Sequence, residues 1–105
     1  MIFIESPAFE RLRGRHLDDD QYRLLQFALC ARPDRGDLIQ GSGGLRKLRW
    51  SEPGRGKRGG LRVIYYWITR EDQILMLTVY RKSEMTDLTP SDIRVLKALV
   101  DSLEG

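Results

Sequence analysis

The feature that most restricts this chain is a pair of β-rich segments, Leu61 to Thr69 and Gln73 to Tyr80, separated only by Arg70-Glu71-Asp72. Both are dense in Val, Ile, Tyr, Trp and Thr, residue types that suit a pleated surface. So short a connection folds the two segments back on each other as an antiparallel hairpin. Their apolar side chains stand at both parities. A strand washed by water on one side would alternate apolar with polar, so this hairpin predicts a sheet covered on both faces. Helices must supply that cover.

Helical signals flank the hairpin on both sides. Met1 to Glu5 reads as a first strand, and Ser6-Pro7 follows as N-cap and first helical residue, opening a short helix to about Arg13. The triplet Asp18-Asp19-Asp20 then opens a second helix, in which Tyr22, Leu24, Leu25, Phe27 and Leu29 recur at helical spacing before Pro33. These carboxylates suit the unpaired N–H groups and positive dipole end of a helix start, a better account of them than a metal site. Cys30, in the last turns, is expected to be a small buried hydrophobe. At the other end, Thr89-Pro90-Ser91-Asp92 starts a third helix with an apolar stripe at Ile93, Leu96, Leu99, Val100 and Leu103.

Between the second helix and the hairpin lie a glycine-rich loop over 33–44, with a short extended piece at Leu38-Ile39, and a further strand from Leu45 to Trp50. A loop over 51–60 joins that strand to the hairpin. Its Gly54-x-Gly56-x-x-Gly59 spacing is not a dinucleotide fingerprint, because a strand follows where a helix would be required. The length of 105 residues fits one domain, 1–105, with no internal repeat.

Charge and cysteine content narrow the function. One cysteine and one histidine, His16, cannot build a thiolate cluster or an ordinary zinc site, and a reducing, cytoplasmic setting is expected. No apolar run approaches the ~20 residues needed to span a membrane, and no signal peptide is evident. The net charge is +3, yet residues 44–70 hold eight basic side chains (Arg46, Lys47, Arg49, Arg55, Lys57, Arg58, Arg62 and Arg70) against one acid, Glu52. That segment therefore carries +7 and the remainder −4, a concentration of positive field suited to a polyanion such as RNA.

Three segments carry a family resemblance: Gly43-Gly44-Leu45-Arg46-Lys47-Leu48-Arg49, then Gly56-Lys57-Arg58-Gly59-Gly60-Leu61-Arg62-Val63-Ile64-Tyr65-Tyr66, then Tyr80-Arg81-Lys82-Ser83-Glu84-Met85-Thr86-Asp87-Leu88. With the order of elements, they make the chain similar to the RelE/ParE superfamily of toxins, most closely its HigB-type branch. The resemblance implies an α+β fold: a mostly antiparallel four-stranded sheet, ordered β-α-α-β-β-β-α, with helices packed on it. It also implies cleavage of mRNA in the ribosomal A site with no metal or other cofactor. The implied partners are the ribosome with its rRNA, mRNA, and a cognate antitoxin, often a helix-turn-helix DNA-binding protein. Two other readings use the same scaffold: a ParE-like inhibitor of DNA gyrase, and a catalytically silent RNA-binding or antitoxin-docking module.

Metal-free RNA cleavage uses the 2′-hydroxyl as an internal nucleophile, so positioning and cations supply most of the acceleration. By the resemblance, Lys47 and Arg49 on one strand and Arg62 on the next contact the scissile phosphate. Lys82 falls where such toxins often place an arginine, which implies a fourth catalytic cation, either a further phosphate contact or the acid. Lys47 and Arg49 share a strand face by the two-residue period, and the planar fork of Arg62 suits a phosphorane. Lys47 is the candidate base if neighbouring cations or burial lower its pKa. Arg46, Arg55, Lys57, Arg58 and Arg81 are expected to grip RNA backbone. The chain departs from the family pattern in having no tyrosine or histidine after Tyr80. Leu88 takes roughly that place, leaving Glu84 or Asp87 as substitutes.

Overall fold

A computed structural model describes residues 1–51, 60–85 and 87–104. The elements run β1 (Ile2–Glu5), α1 (Pro7–His16), α2 (Asp19–Ala31), β2 (Asp37–Leu38), β3 (Leu45–Trp50), β4 (Leu61–Ile68), a short 3-10 turn (Thr69–Glu71), β5 (Gln73–Arg81) and α3 (Pro90–Glu104). The fold is α+β, as expected, but the sheet has five strands rather than four, in the order β1-β5-β4-β3-β2. The additional strand is the extended piece before the glycine turn, where Asp37 pairs with Lys47 and Leu38 with Arg46. Two residues are too few for periodicity to reveal a strand.

The β4–β5 hairpin lies inside the sheet, with β3 antiparallel to β4 on one side and β1 parallel to β5 on the other. Two cores account for its apolar residues at both parities. On one face Val63, Tyr65, Ile74, Met76 and Val79 pack with Phe9 of α1 and Tyr22, Leu25 and Leu29 of α2. On the other, Leu45, Ile64, Leu75, Leu77 and Tyr80 pack with Leu96 and Val100 of α3.

Each helix start uses its predicted cap. Ser6 Oγ accepts from Phe9 N at 3.0 Å, and Asp18 Oδ1 accepts from Gln21 N at 2.8 Å. Thr89 and Asp92 bond reciprocally, at 3.1 Å and 2.9 Å, as a capping box. Helix α1 extends one turn past Arg13, to His16. Cys30 is exposed, contrary to expectation. The buried stripe of α2 is Tyr22, Leu25 and Leu29, and the residue after Leu29 is turned about 100° away from it. Leu24 and Phe27 are turned out for the same reason.

One irregularity sets the geometry of everything beyond it. From Ile68↔Gln73 to Tyr65↔Met76 the hairpin pairs in strict register, but the next pair is Ile64↔Thr78, with Leu77 as the extra residue of a β-bulge. Ser6 sits at this point, fully buried. Its N–H donates to Met76 O at 2.9 Å and its hydroxyl to Leu77 O at 2.7 Å. The residue that caps α1 thus also satisfies backbone acceptors at and beside the bulge.

The β2–β3 connection turns through Gly41, Gly43 and Gly44, all at positive φ. At Gly44, with φ of +116°, a Cβ would stand 2.8 Å from Tyr66 Cε1, so both backbone angle and space require glycine.

Candidate active site

Beyond the bulge, register determines which side chains meet. Arg49 of β3 pairs with Arg62 of β4, and Arg62 pairs with Tyr80 of β5, so the three form one row on the α3 face of the sheet. Directly opposed side chains lie about 5 Å apart at Cβ. Lys47 stands two residues from Arg49 on that face, opposite Ile64. Three of the four predicted catalytic cations therefore converge.

Among the described residues, no carboxylate lies within ion-pair distance of Arg49 or Arg62. The Arg62 guanidinium makes one long hydrogen bond among the described residues, donating to the carbonyl of Leu61 at 3.3 Å. Two neighbouring guanidinium groups repel unless an anion is placed between them. Lys47 differs: its Nζ lies 3.5 Å from Asp87 Oδ1. Lys47, Arg49, Asp87, Leu88 and Ile93, with residues 37–40, line a cleft of about 360 Å³.

Lys82 follows β5 and is exposed, and its backbone N–H donates to Gly60 O at 3.2 Å, holding it beside the start of β4. Arg46 and Arg81 lie on the opposite sheet face from the row. Arg46 pairs with Tyr65 and Arg81 with Leu61, both residues of the α1–α2 core. The Arg46 guanidinium is engaged with backbone, donating to Gly36 O at 2.7 Å and Asp34 O at 3.2 Å. Arg55, Lys57 and Arg58 lie outside the described residues.

The two carboxylates considered at the sequence level separate. Glu84 accepts from Arg81 N at 3.1 Å, lies 3.6 Å from His16 Nε2, and lines the groove beside Tyr80 rather than the cleft of Lys47 and Arg49. Asp87 is in the cleft with Lys47.

Sequence reasoning missed Tyr80 as a neighbour of the cations. Its side chain is buried in the α3-side core, leaving the residue 8% exposed. Burial pushes its phenol pKa up, as do Asp87 and Asp92, while Arg62 works the other way. A regular ladder would have paired Arg62 with Val79 and put Tyr80 on the opposite face. The bulge at Leu77 moves Tyr80 to the cation side, and nothing in the local sequence signals such a bulge. Among the described residues there is no group of three His, Cys, Asp or Glu arranged to hold a metal ion, and no helix is long and apolar enough to cross a membrane.

A small sheet with two helices on one face and one on the other defines an α+β protein, and its α3 face carries two arginines with no carboxylate within ion-pair distance among the described residues. Residues 9–105 match the family model described as the RelE toxin of the RelE/RelB toxin–antitoxin system. The chain belongs to that family of toxins. Solved structures agree on the fold. An arginine-to-alanine double mutant of the E. coli toxin RelE in the free state matches with a TM-score of 0.55 at 13% identity, over 81% of this chain and 86% of that one. The intact E. coli RelBE toxin–antitoxin complex matches with a TM-score of 0.55 at 13% identity, over 75% of this chain and 93% of the matched chain.

Proposed function

We propose that this toxin is an mRNA endoribonuclease of the HigB type, acting in the cytoplasm on ribosome-bound message and restrained by a cognate helix-turn-helix antitoxin. The observation that carries the reading is the Arg49–Arg62 pair beside Lys47, with no carboxylate within ion-pair distance of either arginine among the described residues. A phosphodiester seated there places its non-bridging oxygens against two guanidinium forks and an ammonium, where charge grows as the 2′-oxygen attacks. Lys47 acts as a cation held by Asp87 rather than as the base. The Asp87 carboxylate, in the same cleft, is the acceptor for the 2′-hydroxyl proton. Gyrase inhibition on the same scaffold requires no such convergence.

Arg62→Ala tests the reading. Its side chain is half-buried with no carboxylate partner among the described residues, so folding should be little affected. Growth arrest and cleavage of translated mRNA should be lost while antitoxin binding persists. Wild-type toxin that leaves translated transcripts intact and traps gyrase on DNA would refute the proposal.

A further inference from the structure

We propose that Tyr80 is the proton donor to the leaving 5′-oxygen. The inference rests on the ribonuclease reading above. The chain has four tyrosines, and the fold assigns work or distance to three of them. The Tyr22 hydroxyl donates to Glu5 Oε2 on the α1–α2 side. The Tyr65 hydroxyl donates to Pro33 O at 2.7 Å and accepts from Gly36 N at 2.8 Å. Tyr66 pairs with Leu45 and packs against Gly44, at the end of β3 away from Arg49. Tyr80 alone is paired across the ladder with an arginine of the cation row. His16 borders the same groove as Tyr80, but it stands on α1, outside the cation row, and its Nε2 lies 3.6 Å from Glu84 Oε1.

The placement suits an acid. Packing in the α3-side core limits the directions in which the phenol can point, and Tyr80, Asp92 and Leu88 border a groove of about 410 Å³. Leu88 also lines the Lys47–Asp87 cleft, so the two hollows adjoin. The raised phenol pKa keeps the proton in place at neutral pH, and Arg62 stabilises the phenolate left after transfer. The 2′-oxygen bonds to phosphorus as its proton passes to Asp87, and the P–O5′ bond breaks with its electron pair on O5′. Tyr80 protonates O5′, giving a 2′,3′-cyclic phosphate and a 5′-hydroxyl. Solvent then restores the phenol and removes the proton from Asp87.

The test is single-turnover cleavage of a short mRNA on programmed ribosomes by wild type and Tyr80→Phe, with either oxygen or sulfur at the bridging 5′ position. A thiolate leaves without protonation. Loss of a general acid typically costs on the order of 10²–10⁴-fold. Tyr80→Phe should slow the oxygen substrate by at least about 10²-fold and the sulfur substrate by far less. An equal loss on both substrates, or no loss, overturns the assignment. Cleavage of neither substrate by wild type overturns the ribonuclease reading itself. If Tyr80→Phe fails to fold, 3-fluorotyrosine at position 80 replaces it. Its more acidic phenol should move the alkaline limb of the pH–rate profile to lower pH, and an unmoved limb overturns the assignment.

Discussion

Ser6→Ala removes one hydroxyl that serves two structures at once. Its acceptor role at the N-terminus of α1 is worth about 1 kcal/mol, the usual cost of losing a Ser cap. Its donor role leaves the Leu77 carbonyl at the bulge without that bond, in a place water does not reach, at a further cost of about 1–3 kcal/mol. The sum is about 2–4 kcal/mol, a large part of the ~5–15 kcal/mol that holds a domain folded. The midpoint of thermal unfolding should drop by on the order of 10–20 °C. The measurement is urea unfolding of wild type, Ser6→Ala and Thr89→Ala at neutral pH, with unchanged m-values confirming that stability alone has moved. Thr89→Ala is the control, because it deletes a cap with similar bonding on an exposed helix start and should cost only about 1 kcal/mol. A Ser6→Ala loss no larger than that of Thr89→Ala would refute the claim that Ser6 supports the bulge.

Tyr65→Phe deletes the hydroxyl that links Pro33 O to Gly36 N and should cost about 1–3 kcal/mol by denaturant unfolding, because it strands a buried N–H. Gly44→Ala should destabilise by more than about 1 kcal/mol, the cost of a left-handed φ, since the added Cβ also meets the Tyr66 ring; a neutral result refutes the tight turn. Burial is the largest cause raising the phenol pKa values of Tyr22, Tyr65 and Tyr80. The folded chain therefore keeps protons that the unfolded chain releases near pH ~10, and stability, fully present below that pH, falls as pH rises through the raised values. Alkaline titration followed by ultraviolet absorbance should show these phenols ionising late and together with unfolding. Early ionisation in a folded protein would refute their burial.

What the amino-acid order reveals is local. The caps at Ser6, Asp18 and Thr89, the β4–β5 hairpin and the two-sided sheet all follow from interactions between near neighbours, or from apolar periodicity. Lys47 and Arg49 share a face for the same reason. Three features depended on contacts made elsewhere in the chain. β2 exists because Asp37 and Leu38 find the edge of β3, and two residues carry no period of their own. Arg46 turns to the face opposite Lys47 by the same alternation, but the capture of its guanidinium by the carbonyls of Asp34 and Gly36 depends on where the preceding loop lies. Tyr80 joins the cation row only because the ladder gains a residue at Leu77, and the residue anchoring that point, Ser6, is 71 positions away in sequence.

That distance bears on the order in which the molecule can assemble as it leaves the ribosome. β1 is made first but has its parallel partner only when residues 73–76 have been made, and Ser6 has no Leu77 carbonyl to bond until the same moment. β3 and β4 can meet earlier, across a single loop, so the arginine pair can come together before the sheet is closed. Pairings between distant parts of a chain are slow to form, because the loop must close before any contact rewards it. Closure of β1 on β5 is thus a late step, and it sets the bulge and with it the position of Tyr80. A nascent chain can therefore pair its Arg49–Arg62 row before β1 closes on β5 and brings Ser6 to the bulge that sets Tyr80.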